Sequence, residues 1–247
     1  MARAAFLENS GRAARLWLAI LRRLPYAPRD ARLVVEQVMR MGVTSLPLVI
    51  VISLFIGAVT AVQVHYQFHG LIPDNYLGTA VSKFVIIESG PVLTALVLAG
   101  RVGAAIAAEI AAMKEKEELD ALSVLDLDPL RYLALPRVLA GFIALPLLVI
   151  LSCVFALVGG WLLARSSFGL TTETYVQGMR FLFSGFDVIV CLIKSFVFGG
   201  VVTFAGFHAG LKAGPGARGT GQAAMNAVVS ASVWILVLDF VIIFLMY

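Results

Sequence analysis

Three stretches of this chain, residues 41–72, 138–164 and 219–238, contain no Asp, Glu, Lys or Arg. A helix needs about 20 predominantly apolar residues to cross the hydrocarbon core of a bilayer, and a backbone inside lipid must satisfy its own polar groups, which a helix does. The composition agrees: 60% of the 247 residues are hydrophobic and 14% charged, against roughly 45–50% and about 25% in soluble domains. A soluble globular fold is excluded. The chain reads as an all-α, polytopic membrane protein.

Five spans are predicted, at about residues 41–64, 84–111, 138–164, 188–210 and 223–247, so the termini face opposite sides. With the N-terminus inside, the inner segments hold Arg3, Arg12, Arg15, Arg22, Arg23, Arg29, Arg32, Arg40, Arg101, Lys114, Lys116, Arg131, Arg137, Lys212 and Arg218. Only Lys83, Arg165 and Arg180 remain outside. By the positive-inside rule the N-terminus is expected in the cytoplasm and the C-terminus across the membrane. The basic N-terminal region lacks the apolar core and small-residue cleavage site of a secretory signal, so no cleavage is expected.

Ahead of the first span, Leu16, Trp17, Ile20, Leu21 and Leu24 share one arc of a helical wheel, and Arg12, Arg15, Arg22 and Arg23 share the other. This pattern predicts an amphipathic helix lying on an anionic membrane surface; a helix packed on a soluble partner is the alternative. Pro25 and Pro28 end it. Residues 1–40 are thus expected to form an interfacial amphipathic region and residues 41–247 the transmembrane domain. Between spans two and three, Leu119, Leu122 and Leu125 recur every third residue beside Glu115, Glu117, Glu118 and Asp120. A short amphipathic helix is expected here, with its leucine stripe covering something.

Several motifs fall away on inspection. No Gly is followed by Lys, so a Walker A loop is absent and ATP hydrolysis by that route is excluded. Gly214 to Gly219 spells G-x-G-x-x-G but has no strand before it. His65, His69 and His208 lack the carboxylates of a usual zinc set, and Cys153 and Cys191 lack metal or redox spacing. No metal, cofactor or catalytic residue is expected. Gly206 and Gly210 form a G-x-x-x-G pattern consistent with close helix packing.

Charges inside spans are costly and mark cavities, partner charges or transport paths. At about 1.5 Å per residue, Glu88, Lys194 and Asp239 all fall in the outer half of a ~30 Å core. Lys194 can lock helices together or form the polar rim of a substrate cavity, and the two roles are compatible. Gly90 and Pro91 follow Glu88, and the proline should kink the helix and free carbonyls beside the acid. An apolar cavity walled by spans one, two and five near Gln63, Tyr66, Leu93, Leu96 and Trp234 is expected at that level. Arg101 and Glu109, near the inner end of span two, are read as structural charges, with Arg101 free to snorkel to lipid phosphate or to bond an exposed helix end.

Glu88-Ser89-Gly90-Pro91-Val92-Leu93-Thr94-Ala95-Leu96, Ala99-Gly100-Arg101-Val102-Gly103, Ala108-Glu109-Ile110, Glu118-Leu119-Asp120-Ala121-Leu122 and Asp128-Pro129-Leu130-Arg131 together resemble the MlaE family of ABC-transporter permeases. Phe55-Ile56-Gly57 with Gln63, Cys191-Leu192-Ile193-Lys194-Ser195 and Leu238-Asp239-Phe240 extend the resemblance over nearly the whole chain. It implies a homodimeric permease of the bacterial inner membrane that moves phospholipid to or from a periplasmic MCE-domain protein and maintains outer-membrane lipid asymmetry. A separate cytoplasmic ATPase subunit would supply the energy. The polar helix between spans two and three, with Glu118, Leu119, Leu122, Leu125 and Asp128, would then be the coupling helix.

An ion- or proton-coupled secondary carrier using Glu88, Lys194 and Asp239 is the alternative. Five spans with no inverted repeat speak against it. An intramembrane enzyme would need a nucleophile–base pair or metal set at one depth, and the sequence offers none.

Overall fold

The computed structural model of the chain describes residues 11, 14–68 and 76–247. His69, Arg3 and Arg12 lie outside them. Eight helices are used below: α1 (residues 14–21), α2 (Ala31–Phe68), α3 (Leu77–Glu115), α4 (Glu118–Val124), α5 (Leu130–Phe168), α6 (Thr172–Phe181), α7 (Gly185–Leu211) and α8 (Gly216–Met246). No strand forms among the described residues. Five of the helices, α2, α3, α5, α7 and α8, are long and apolar enough to span a membrane. They exceed the apolar runs because their polar ends continue the helical period; α2 passes through residue 40 without a break.

α7 is central and packs on α3, α5 and α8, while α2 lies along α5. Lipid tails are as apolar as leucine, so membrane helices associate by close packing rather than by a hydrophobic drive. A β-carbon on Gly199 would stand 2.1 Å from the Gly141 carbonyl oxygen, and one on Gly57 would stand 1.7 Å from that of Ala156. Only glycine permits these crossings of α5 with α7 and of α2 with α5. The G-x-x-x-G pair of α7 meets α3: Gly206 lies against Gly103, and Gly210 against Ala107 and Ile110.

Inside the α2, α3 and α5 contact, Ser53 Oγ donates to Ser152 Oγ at 2.8 Å and Thr94 Oγ1 donates to the same oxygen at 2.9 Å. Such hydroxyl bonds within a membrane bundle contribute about 0.6 kcal/mol on average. α8 is attached differently. It buries Ala223, Ala227, Ala231, Ile235 and Asp239, one residue in every four, and leaves Met225, Val229, Val233, Phe240 and Phe244 exposed.

The N-terminal helix also packs against its own chain. Trp17 packs edge-on against Phe204 and Phe142, with ring centroids 4.8 and 6.3 Å away. Ile20 is buried with Met41, Ile106, Ile110, Leu135 and Phe207. Much of the apolar arc of α1 therefore rests on α3, α5 and α7 of its own chain, where aromatic faces are available. Leu18, Leu21 and Leu24 stay exposed.

Candidate functional site

α3 is not a regular helix. It widens into a π-turn at Val85–Ser89, where the Gly90 N–H reaches back five residues to the Val85 carbonyl. Pro91 follows, and its missing N–H leaves the Ile87 carbonyl without its usual i+4 donor. Lys194, from α7, takes that place: its Nζ donates to the Ile87 oxygen at 2.9 Å. The same Nζ donates to Glu88 Oε2 at 2.8 Å and lies 2.6 Å from Asp239 Oδ1. An ammonium has three donors, and three oxygens from α3 and α8 surround this one.

The three charges differ in exposure. The Lys194 side chain is fully buried, that of Asp239 is 11% exposed and that of Glu88 is 40% exposed. Burying unpaired charge is expensive, and of the two carboxylates that share this one cation Glu88 is the one with access to the surface. Glu88 opens into a groove of about 520 Å³ between α2 and α3. Val51, Phe55, Val59 and Gln63 form one wall, and Phe84, Glu88, Val92 and Leu93 form the other.

Of the residues expected around the cavity, Gln63, Glu88 and Leu93 line the groove. Tyr66, Leu96 and Trp234 do not. Tyr66 is exposed, Leu96 packs into the interior, and Trp234 lies off the buried stripe of α8 on its outward face. The rotation of α8 that buries Asp239 turns Trp234 away, so the groove has two walls, and Lys194 and Asp239 stand behind one of them.

Arg101 and Glu109 do not pair. Eight residues along a helix is about 12 Å, out of ion-pair reach. Glu109 instead takes Arg40 from α2 and Arg137 from α5, each at 3.1 Å. Neither arginine stands out in the sequence, because each lies beside a span rather than within it. A cluster at the opposite end of the bundle was equally hidden: Asp187, near-buried at the start of α7, accepts from Lys83 Nζ and from Tyr247 Oη, both at 2.6 Å.

α4 stands apart from the bundle. None of its residues is buried, and Glu117 and Asp126, both with φ 58°, turn the chain on either side of it. Glu118 is exposed, Leu119 and Leu122 are half-buried and Leu125 is exposed. Asp128 is not part of that surface. One of its oxygens accepts from the Leu130 N–H at 3.0 Å at the start of α5, and the other is bonded to Arg23.

Five long apolar helices, a span widened by a π-turn that carries a charged cluster, and an open-sided apolar groove define a multi-pass membrane protein. Comparison with known proteins gives the family. The profile of the permease MlaE family matches residues 34–245. The chain is 38% identical over 215 residues to a probable ABC transporter permease protein of Rickettsia typhi, covering 87% of this chain and 83% of that one. It is 33% identical over 243 residues to the intermembrane phospholipid transport system permease protein MlaE of Haemophilus influenzae, covering 98% and 93%. It is 32% identical over 207 residues to the chloroplastic protein TRIGALACTOSYLDIACYLGLYCEROL 1 of Arabidopsis thaliana, covering 84% and 59%. The chain belongs to the MlaE permease family, and is a permease rather than an enzyme.

Proposed function

We propose that this chain is the membrane permease of an ABC transporter that moves phospholipids between the bacterial inner membrane and a periplasmic MCE-domain partner, serving outer-membrane lipid asymmetry. Two copies form the working unit. A separate ATPase subunit binds α4 on the cytoplasmic side, and the N-terminus lies on that side too, as the arginine distribution favours. Residues 1–40 form the interfacial region and residues 41–247 the transmembrane domain.

The observation that carries this reading is the groove between α2 and α3. Its apolar length suits acyl chains, and Glu88 and Gln63 offer polar contacts for a hydrated headgroup, the division of labour that an amphiphile requires. The leucines on α4 supply the ATPase seat that a chain without a P-loop needs.

The complex purified through a tag on this chain, reconstituted with liposomes of phosphatidylethanolamine and phosphatidylglycerol carrying a fluorescent phospholipid, tests the reading. Leu93→Trp should lower transfer about ten-fold, equivalent to roughly 1.4 kcal/mol of binding, with assembly unchanged. Leu122→Asp should release the ATPase without unfolding the membrane part. Ion transport by a complex that contains no ATPase would overturn the proposal.

A further inference from the structure

Two short segments meet at the α4 end of the bundle. One, residues 22–30, joins α1 to α2; the other, residues 125–131, is the link from α4 together with the first residues of α5. Arg23 bonds Asp128. Arg131 returns the contact in the opposite sense, its Nε and Nη2 donating to the two oxygens of Asp30 at 2.7 and 3.1 Å. Each segment gives one arginine and one aspartate, so the charges cross. The Arg131 guanidinium also lies over the Tyr26 ring, 4.6 Å from its centroid. Fork-on-carboxylate pairing is the most directional ion contact available to side chains.

The clamp has a mechanical context. α4 buries nothing of its own and is attached through its two flanking turns. Asp128 sits in one of those turns and also accepts from the first turn of α5. On the other side of the clamp, Arg23 donates to the Ala19 carbonyl in α1 at 2.7 Å, and α1 is wedged by Trp17 and Ile20 between α3, α5 and α7. Asp30 directly precedes α2, the helix that forms one wall of the groove. Four side chains therefore connect the link after α4 to α1 and to the start of α2.

We propose that Arg23, Asp30, Asp128 and Arg131 are positioning residues for energy coupling, a crossed clamp that passes movement of α4 to α1 and to the groove wall α2. This inference rests on the reading of α4 as the ATPase seat. Without the clamp the ATPase still docks and hydrolyses ATP, but the stroke is spent in a loosened turn.

The test uses the same tagged complex and liposomes and reads fluorescent phospholipid transferred per ATP hydrolysed. That ratio does not depend on how many complexes survive purification, so loss of stability alone leaves it unmoved. Arg23→Asp, Asp128→Arg, Asp30→Arg and Arg131→Asp are each expected to retain the ATPase and to lower the ratio about five-fold, the loss appropriate to a partly exposed pair. The exchanges Arg23→Asp with Asp128→Arg, and Asp30→Arg with Arg131→Asp, are expected to recover it for at least one pair. Should a reversal prevent assembly, Arg131→Lys, which keeps the charge and loses the fork, decides: a lowered ratio supports the clamp and an unchanged ratio overturns it. Single reversals with the ratio of the parent complex, or exchanges that both stay as low as the singles, also overturn it. Leu122→Asp is run alongside. If it retains the ATPase, the reading of α4 fails; if it releases the ATPase while the reversals leave the ratio intact, the clamp alone fails.

Discussion

Lys194 Nζ lies 2.6 Å from Asp239 Oδ1, and that ion pair is the polar attachment of α8 within a stripe otherwise made of Ala223, Ala227, Ala231 and Ile235. Glu88 and the Ile87 carbonyl complete the surroundings of the ammonium. One buried lysine thus ties the π-turn of α3 to α8.

Removing that lysine should be severe. Lys194→Met leaves two carboxylates facing each other without a cation and is expected to cost about 3–5 kcal/mol, as for other broken buried pairs. Adding Glu88→Gln and Asp239→Asn should recover most of the stability, read by thermal unfolding in detergent. Transfer should stay low, because Glu88 is the member of the trio that faces the groove. Recovery of transfer along with stability would make the trio a fastener only.

Pro91→Ala gives the Ile87 carbonyl a helical donor in competition with Lys194. One hydrogen bond replaces another, so stability should change by no more than about 1 kcal/mol. α3 should straighten against α2. Spin labels on the two helices are expected to report a narrower groove, and lipid transfer should fall; an unchanged separation with full transfer would show that the kink does not shape the groove.

The glycine crossings predict a change of sign. Gly199→Ala drives a methyl group into the Gly141 backbone and should cost about 1–3 kcal/mol, as overpacking does. Gly42→Ala meets nothing within 4 Å and should stabilise α2 by about 1 kcal/mol through helix propensity. Unfolding temperatures of the two variants, measured in one detergent, check the contrast.

The clamp carries a pH dependence. Hydrogen bonding from Arg131 holds the Asp30 carboxyl below its ordinary 3.8. Burial pushes Asp128 upward, but the Arg23 guanidinium and the Leu130 N–H outweigh it and leave that carboxyl low as well. A carboxyl lowered by folding contributes stability that is complete above its unfolded value and is lost as the pH falls through the folded one. The clamp should therefore hold from neutral pH down to about 4 and open below that. Fluorescence of Trp17, with Trp161 and Trp234 replaced by Phe, should stay flat over the first interval and change in the second. A transition near pH 6 would exclude these aspartates as its cause.

The chain itself determined the spans, the amphipathic patterns of α1 and α4, the N–H that Pro91 lacks, and the common depth of Glu88, Lys194 and Asp239. These follow from properties local to a helix: hydrophobic length, a 3.6-residue period and a residue that lacks an N–H. Tertiary structure decided the partners. Glu109 takes Arg40 and Arg137 rather than Arg101, Trp17 settles on Phe204, Trp234 is turned away from the groove, and Arg23 meets Asp128 across 105 positions of chain. Such pairings depend on the rotation of each helix about its axis and on how closely two backbones cross. Those quantities are set jointly by both helices at glycine contacts such as Gly141 with Gly199, so neither helix encodes them alone.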